Sequence, residues 1–151
     1  MRKSGLLTWL AVSMTAGFVS AQDMSRLPDG EITRFGSYSA WLVGPTDIYR
    51  HAALGDAIEA EGFVIERDGS PLSYRLPADQ VYEDRRVRLT DVDGDGSPEA
   101  LIIRADLTQG ASLALYTIKG DEIELMAESE PIGQRNRWLN PVGIADFSGS
   151  G

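Results

Sequence analysis

From residue 39 onward, short β-type runs alternate with turn signals, and in 113–116 and 123–126 the apolar positions recur with a period of about two. A period of two is typical of half-buried β-strands. The runs cover residues 41–43, 63–67, 72–76, 87–89, 100–104, 113–118 and 122–127. Asp68-Gly69 and Gly120-Asp121 separate two pairs of runs and predict hairpin turns. We expect an all-β protein with four-stranded antiparallel sheets, one at about 87–127 and a less regular one at about 39–82. Such spacing is typical of a sandwich, barrel or propeller.

Two segments have a weaker pattern. Residues 22–38 are polar, contain Pro28, Gly30 and Gly36, and are interpreted as a lead-in with little core. Residues 54–60 fit either a two-turn helix that Gly62 ends or a strand–loop–strand. The strand is favoured because the surrounding segments are all β.

Residues 91–99 form an acidic loop with oxygen-bearing groups at alternate positions. Its candidate metal ligands are the side chains of Asp91, Asp93, Asp95 and Glu99 and the main-chain carbonyl of Ser97. Calcium takes six to eight oxygen ligands, and alternate residues of a curled loop can reach one ion. Gly94 and Gly96 permit the backbone angles of such a curl. A solvated acidic turn is the alternative, and magnesium fits less well because it prefers fewer protein ligands.

The residues that flank this loop distinguish two kinds of calcium site. The helix–loop–helix type has a bidentate glutamate at position twelve, where this chain has Ile102. The entering run 87–89 and the leaving run 100–104 both have strand character. The loop is therefore predicted to join two strands and to close at Glu99.

The start of the acidic pattern recurs 55 residues later, where Asp146 aligns with Asp91. Gly149 and Gly151 align with the two loop glycines, whereas serines replace the two following aspartates. A repeat of about this length indicates a solenoid, propeller or array. A coincidental Gly/Ser-rich tail is the alternative.

The loop between strands and its partial recurrence resemble the FG-GAP/VCBS repeat family, whose calcium-bearing blades occur in integrin-α-type β-propellers and bacterial secreted proteins. The resemblance implies a structural calcium ion with the ligands Asp91, Asp93, Asp95, Ser97 and Glu99, and no catalytic residues. It implies a degenerate blade-like unit at 39–86, a calcium-loop blade with a connector at 87–142 and the start of a further repeat at 143–151. Because a closed propeller needs at least four blades, we expect this chain to be a fragment of a longer protein.

The composition excludes several classes of function, and the N-terminus predicts where the protein is located. The 151 residues include 23 acidic against 14 basic residues, no cysteine and one histidine. This excess of negative charge argues against nucleic-acid binding, and disulfides and thiolate sites are excluded. Residues 1–21 have the basic, apolar and small-residue parts of a secretory signal. Their apolar stretch, 5–18, is shorter than the ~20 residues of a membrane-spanning helix. We expect a secreted or periplasmic protein without stable membrane insertion, cleaved after Ala21.

Other candidate residues carry weaker signals. Arg135, Arg137 and Trp138 form a basic and aromatic cluster that could bind a glycan or a protein partner, and an inter-blade connector is the alternative. His51 lacks a second ligand and is interpreted as a surface or turn residue. The pairs Glu59/Glu61 and Glu128/Glu130 are interpreted as solvated faces rather than acid–base groups.

The sequence therefore predicts a secreted calcium-binding β-propeller segment that acts as a non-catalytic binding or scaffold module. Two alternatives remain open at this point. One is the propeller part of a secreted polysaccharide-active enzyme whose catalytic residues follow residue 151. The other is a structural repeat of an adhesin.

Overall fold

The computed structural model describes residues 25–48, 59–133 and 139–145. These residues form nine strands and no helix. The strands are β1 (Thr33–Phe35), β2 (Tyr38–Val43), β3 (Gly62–Arg67), β4 (Ser70–Arg75), β5 (Gln80–Tyr82), β6 (Arg88–Thr90), β7 (Glu99–Asp106), β8 (Gly110–Lys119) and β9 (Glu122–Glu128). No helix in these ranges has the length and apolarity to cross a membrane.

The strands form two antiparallel sheets in chain order. The first sheet is the meander β1-β2-β3-β4. In the second sheet β7, β8 and β9 follow one another, while β5 and β6 both pair with β7. Strand β5 pairs with the C-terminal end of β7, where Tyr82 lies opposite Arg104. Strand β6 pairs with the N-terminal end of β7, where Thr90 lies opposite Glu99. The second sheet is therefore four strands wide, with an interrupted edge.

The predicted all-β antiparallel architecture is confirmed, and so are both hairpins. Asp68 and Gly69 have φ values of 50° and 80° between β3 and β4. Two positive φ values are the signature of the tight hairpin turn that an Asp-Gly pair favours. Between β8 and β9, Gly120 has a φ of 62°, and Lys119 pairs with Glu122.

The structure differs from the sequence interpretation at the lead-in and at a unit boundary. Leu27 is 5% exposed within the core, and its amide donates to the carbonyl of Leu42 at 2.9 Å. Strand β1 also lies inside the predicted lead-in. Three-residue strands are too short to show alternation, so this segment resembled a coil. The boundary between the two predicted blade-like units, after residue 86, falls between β5 and β6. Both of these strands pair with β7, so β5 belongs to the second sheet and not to the first.

A shared core joins the two sheets, which stack with β1 near β6 and β4 near β9. Phe63 of the first sheet contacts Tyr82 and Tyr116 of the second, with ring centroids 5.8 and 5.1 Å apart. The buried Tyr82 hydroxyl donates to the Tyr116 hydroxyl at 2.8 Å. This bond satisfies the Tyr82 donor, which is costly to leave unpaired in an apolar core.

Asp106 closes the turn between β7 and β8. Its Oδ1 accepts hydrogen bonds from the Thr108 hydroxyl at 2.7 Å and from the amides of Thr108 and Gln109 at 2.8 and 3.0 Å. These bonds, with those from Thr108 the strongest, lower the pKa of Asp106 from 3.8 to about 2. The charged carboxylate is therefore the form that stabilises the turn.

We expect Asp106→Ala to lower the free energy of unfolding at neutral pH by about 1–2 kcal/mol, because the three turn hydrogen bonds to Oδ1 and a fourth, from Gln80 Nε2 to Oδ2, disappear. Since folding lowers this pKa, its contribution is complete above pH 3.8 and disappears as the pH falls towards 2. Urea unfolding at several pH values measures the difference between the two proteins. Asp106→Asn keeps an acceptor oxygen and should cost less than alanine. A cost of Asp106→Ala that stays constant down to pH 2 would contradict the role of the charge.

Candidate metal centre

The acidic loop joins β6 to β7 in the second sheet. Thr90 and Glu99 are paired neighbours in the ladder, so the strand pairing holds the two ends of the loop together. As predicted, strands rather than helices flank the loop. This arrangement argues against the helix–loop–helix type of calcium site.

Side-chain oxygens of the loop hold its backbone in a tight curl. Asp91 accepts from the amide of Gly94 through Oδ1 at 2.7 Å and from the amide of Gly96 through Oδ2 at 2.9 Å. Gly94 and Gly96 have φ values of 77° and 88°, which residues with a side chain rarely adopt. The two glycines therefore adopt the kind of backbone angles for which they were predicted.

Two further aspartates make local bonds of the same kind. Asp93 Oδ1 accepts from the amide of Asp95 at 3.2 Å, and Asp95 Oδ1 accepts from the amide of Ser97 at 2.7 Å. Such side-chain to backbone bonds are the usual way in which aspartate stabilises turns. They preserve the loop shape with no need for an ion, so the curl alone does not identify a metal site.

Three carboxylates of the loop converge. Oxygens of Asp91, Asp93 and Glu99 all lie within 4.8 Å of one another. The three groups are oxygen donors that carry negative charge, which is the ligand type that calcium and magnesium prefer.

Glu99 is the unusual member because it is 1% exposed. Its Oε2 accepts from the amide of Val92 at 2.8 Å. Burial raises the pKa of Glu99 above its ordinary value; the Val92 bond acts in the opposite direction, and the charges of Asp93, Asp95 and Asp91 raise the pKa further. A buried carboxylate that faces other carboxylates is unfavourable on its own, and a bound cation would relieve this repulsion.

One of the four predicted carboxylate ligands lies outside this group, and the fifth predicted ligand, the main-chain carbonyl of Ser97, stays a prediction. Asp95 is not part of the convergent cluster, and its Oδ1 bonds the Ser97 amide. The Ser97 hydroxyl accepts from the Tyr38 hydroxyl at 3.4 Å. Tyr38 belongs to the first sheet and lies 59 residues away in the chain, so no spacing in the sequence could indicate this contact.

The glutamate pairs correct an expectation from the sequence. Glu59 is buried, and Glu128 forms an ion pair with Arg104 and accepts from the Ser112 hydroxyl. The prediction of a solvated face is therefore wrong at Glu59, whereas Glu128 is exposed as predicted but is also held by an ion pair. Arg104 lies two residues after the core residue Ile102, on the same face of β7, so strand alternation could have indicated an inward-facing charge.

Several predicted features lie outside the described residues. They are the signal segment 1–21, His51, most of the 54–60 segment, the cluster of Arg135, Arg137 and Trp138, and the second loop from Asp146. Their assignments stay predictions from the sequence.

The chain matches no protein-family model, no curated protein and no solved structure. The functional proposal therefore depends on the residues of the loop and the sheets that carry it.

Proposed function

We propose that the 91–99 loop binds one calcium ion, and that the protein is a secreted, calcium-stabilised β module with a binding or scaffold role and no catalytic role. The ion would tie β6 to β7 across the loop. Asp91, Asp93 and Glu99 would hold it, with Asp95 and the carbonyl of Ser97 completing the set after a small change of the loop.

The convergence of Asp91, Asp93 and Glu99 around a buried carboxylate carries this proposal. Exposed acidic turns avoid repulsion by pointing their charges into water. Here Glu99 is 1% exposed and faces the aspartates. A divalent cation removes both the repulsion and part of the desolvation cost.

Calcium suits this loop better than magnesium does. The candidate ligands all belong to one loop of the protein, which calcium accepts. Magnesium demands a near-octahedral arrangement and usually keeps several waters. A direct comparison of the two ions therefore tests the identity of the metal.

The arrangement of the sheets supports the propeller part of the proposal. Two antiparallel sheets, each four strands wide and one after the other in the chain, pack against each other through one core. Adjacent blades of a β-propeller have this organisation. We propose that the chain forms two propeller-type blades and that the calcium loop belongs to the second of them.

Calcium is expected to raise the melting temperature of the protein by about 5 °C. Extracellular calcium modules have a Kd of about 0.1–1 mM, and ~1 mM calcium with a Kd of ~0.1 mM stabilises the folded state by about 1.4 kcal/mol. Asp93→Ala should abolish this increment and barely change the melting temperature in chelator. Thermal unfolding in calcium, magnesium and chelator measures the effect.

Asp121→Ala is the matched control, because Asp121 lies in the exposed β8–β9 turn. This variant should keep the full calcium increment. Equal melting temperatures for the wild-type protein in calcium and in chelator would refute the calcium site. A larger increase of the melting temperature in magnesium than in calcium would show that magnesium is the metal of this site.

A further inference from the structure

A polar pocket lies on the core-facing side of the second sheet, beyond the end of the aromatic core. Ile102 and Ala114 are fully buried on this face. Arg104 follows Ile102 by two residues in β7, and Ser112 precedes Ala114 by two residues in β8, so both lie on the same face. Arg104 and Ser112 are paired neighbours. The face therefore changes from apolar to polar within one register step.

The pocket has the size of a small-molecule site, and its lining is polar. Its volume is about 340 Å³, and ligand pockets in proteins measure about 300–1,000 Å³. Gln80, Arg104, Asp106, Ser112, Glu128 and Glu130 contribute polar side chains to its lining. A lining of this kind does not suit a lipid or another apolar ligand.

Neighbouring groups hold the polar side chains in place. The Arg104 side chain is 16% exposed and forms an ion pair with Glu128. Ser112 is 3% exposed, and its hydroxyl donates to the same carboxylate. Gln80 Nε2 donates to Asp106 Oδ2 at 3.4 Å. Groups fixed in this way lose little conformational entropy when they bind a ligand.

One acceptor of the pocket has no protein donor. The Oε1 atom of Gln80 is buried and has no hydrogen-bond partner among the described residues. A buried polar atom needs a hydrogen bond to offset its loss of water. Gln80 lines the pocket, so a ligand donor that reaches this atom would supply the missing hydrogen bond.

The charges in the pocket restrict the ligand further. Three carboxylates, on Asp106, Glu128 and Glu130, accompany one cation, Arg104, so an anionic ligand is repelled. A guanidinium carries five N–H donors, and a protonated polyamine has no acceptor for them. A neutral hydroxyl group donates to Gln80 or Glu130 and also accepts from Arg104.

We propose that this pocket binds a neutral polyhydroxylated ligand, a saccharide, through Arg104, Gln80 and Glu130. The inference gives the binding module a ligand and so rests on the proposed binding role, but it does not depend on the calcium loop. Asp106 and Ser112 act as positioning residues for Gln80 and Glu128.

The test is a ¹H–¹⁵N NMR titration of the whole protein with glucose, galactose, mannose and maltose. Spermidine and galacturonate serve as the cationic and anionic comparators. We expect at least one neutral saccharide to shift the Gln80 side-chain amide and the backbone amides of Gly110 and Ser112. Gln80→Met and Glu130→Gln should each weaken the affinity about three- to tenfold, which is the contribution of one net hydrogen bond.

Glu122→Gln, in the exposed part of β9, is the matched control and should leave the affinity unchanged. Shifts caused by spermidine or galacturonate but by no neutral saccharide would overturn the proposal, and so would saccharide shifts outside the pocket or no shifts at all. A normal calcium increment in melting temperature without saccharide binding refutes only the pocket. Saccharide binding without a calcium increment refutes only the metal site.

Discussion

Phe63→Ala is expected to lower the free energy of unfolding by about 3–5 kcal/mol, the range for truncating a buried aromatic residue. Phe63 is fully buried and contacts Tyr74 in its own sheet and Tyr82 and Tyr116 in the other. Alanine would leave a cavity between the sheets and remove these ring contacts. Because one core serves both sheets, the variant should still unfold in a single transition. Urea unfolding followed by far-UV and near-UV circular dichroism measures both properties.

The control for this prediction is Leu107→Ala. Leu107 is also apolar but is 45% exposed, so its truncation should change the stability by less than about 0.5 kcal/mol. Two separate transitions in Phe63→Ala, one for each sheet, would mean that the sheets fold independently. That result would contradict the shared core.

Alternation predicted strand β8, in which Ala114 and Tyr116 are fully buried and the residue between them is partly exposed. Strand β7 was predicted instead from its continuous apolar run, and its residues 100–103 are buried on both faces of the sheet. The short strands β1 and β5 escaped prediction, since three residues cannot establish a period. Their positions are fixed by tertiary pairing, such as the bridge between Ala60 and Tyr82.

The candidate metal site was predictable to the extent that its geometry is local. Gly94 and Gly96 take positive φ values, and Asp91 bonds both of their amides, because the spacing of the loop dictates these contacts. The burial of Glu99 depends on its place at the start of β7, and the contact of Tyr38 with Ser97 depends on sheet stacking. Neither follows from spacing in the loop.

The pocket around Arg104 escaped prediction for a different reason. Charged residues in amphipathic strands usually face solvent, so Glu128 was assigned to a solvated face. Glu128 is exposed, but it also forms an ion pair with Arg104, on the core-facing side of β7, and accepts a hydrogen bond from Ser112. The two residues lie 24 positions apart in the sequence and come together only when β7, β8 and β9 are in register.

Glu99→Gln is expected to change the stability in opposite directions in chelator and in calcium. Without metal, the neutral amide removes the repulsion from the three aspartates and the cost of burying a charge, while its Oε1 can still accept from the Val92 amide. The variant should therefore melt at a higher temperature than the wild-type protein in chelator. In ~1 mM calcium it should lose the increment of about 1.4 kcal/mol, because a charged ligand at the centre of the site is missing.

Thermal unfolding of both proteins in chelator and in calcium measures the two effects separately. Glu122→Gln, an exposed glutamate of β9 outside the loop, should keep the calcium increment and leave the stability in chelator nearly unchanged. A Glu99→Gln variant that is less stable than the wild-type protein in chelator would show that the carboxylate stabilises the metal-free loop. A variant that retains the full calcium increment would remove Glu99 from the ligand set, and the ion would then depend on the aspartates alone.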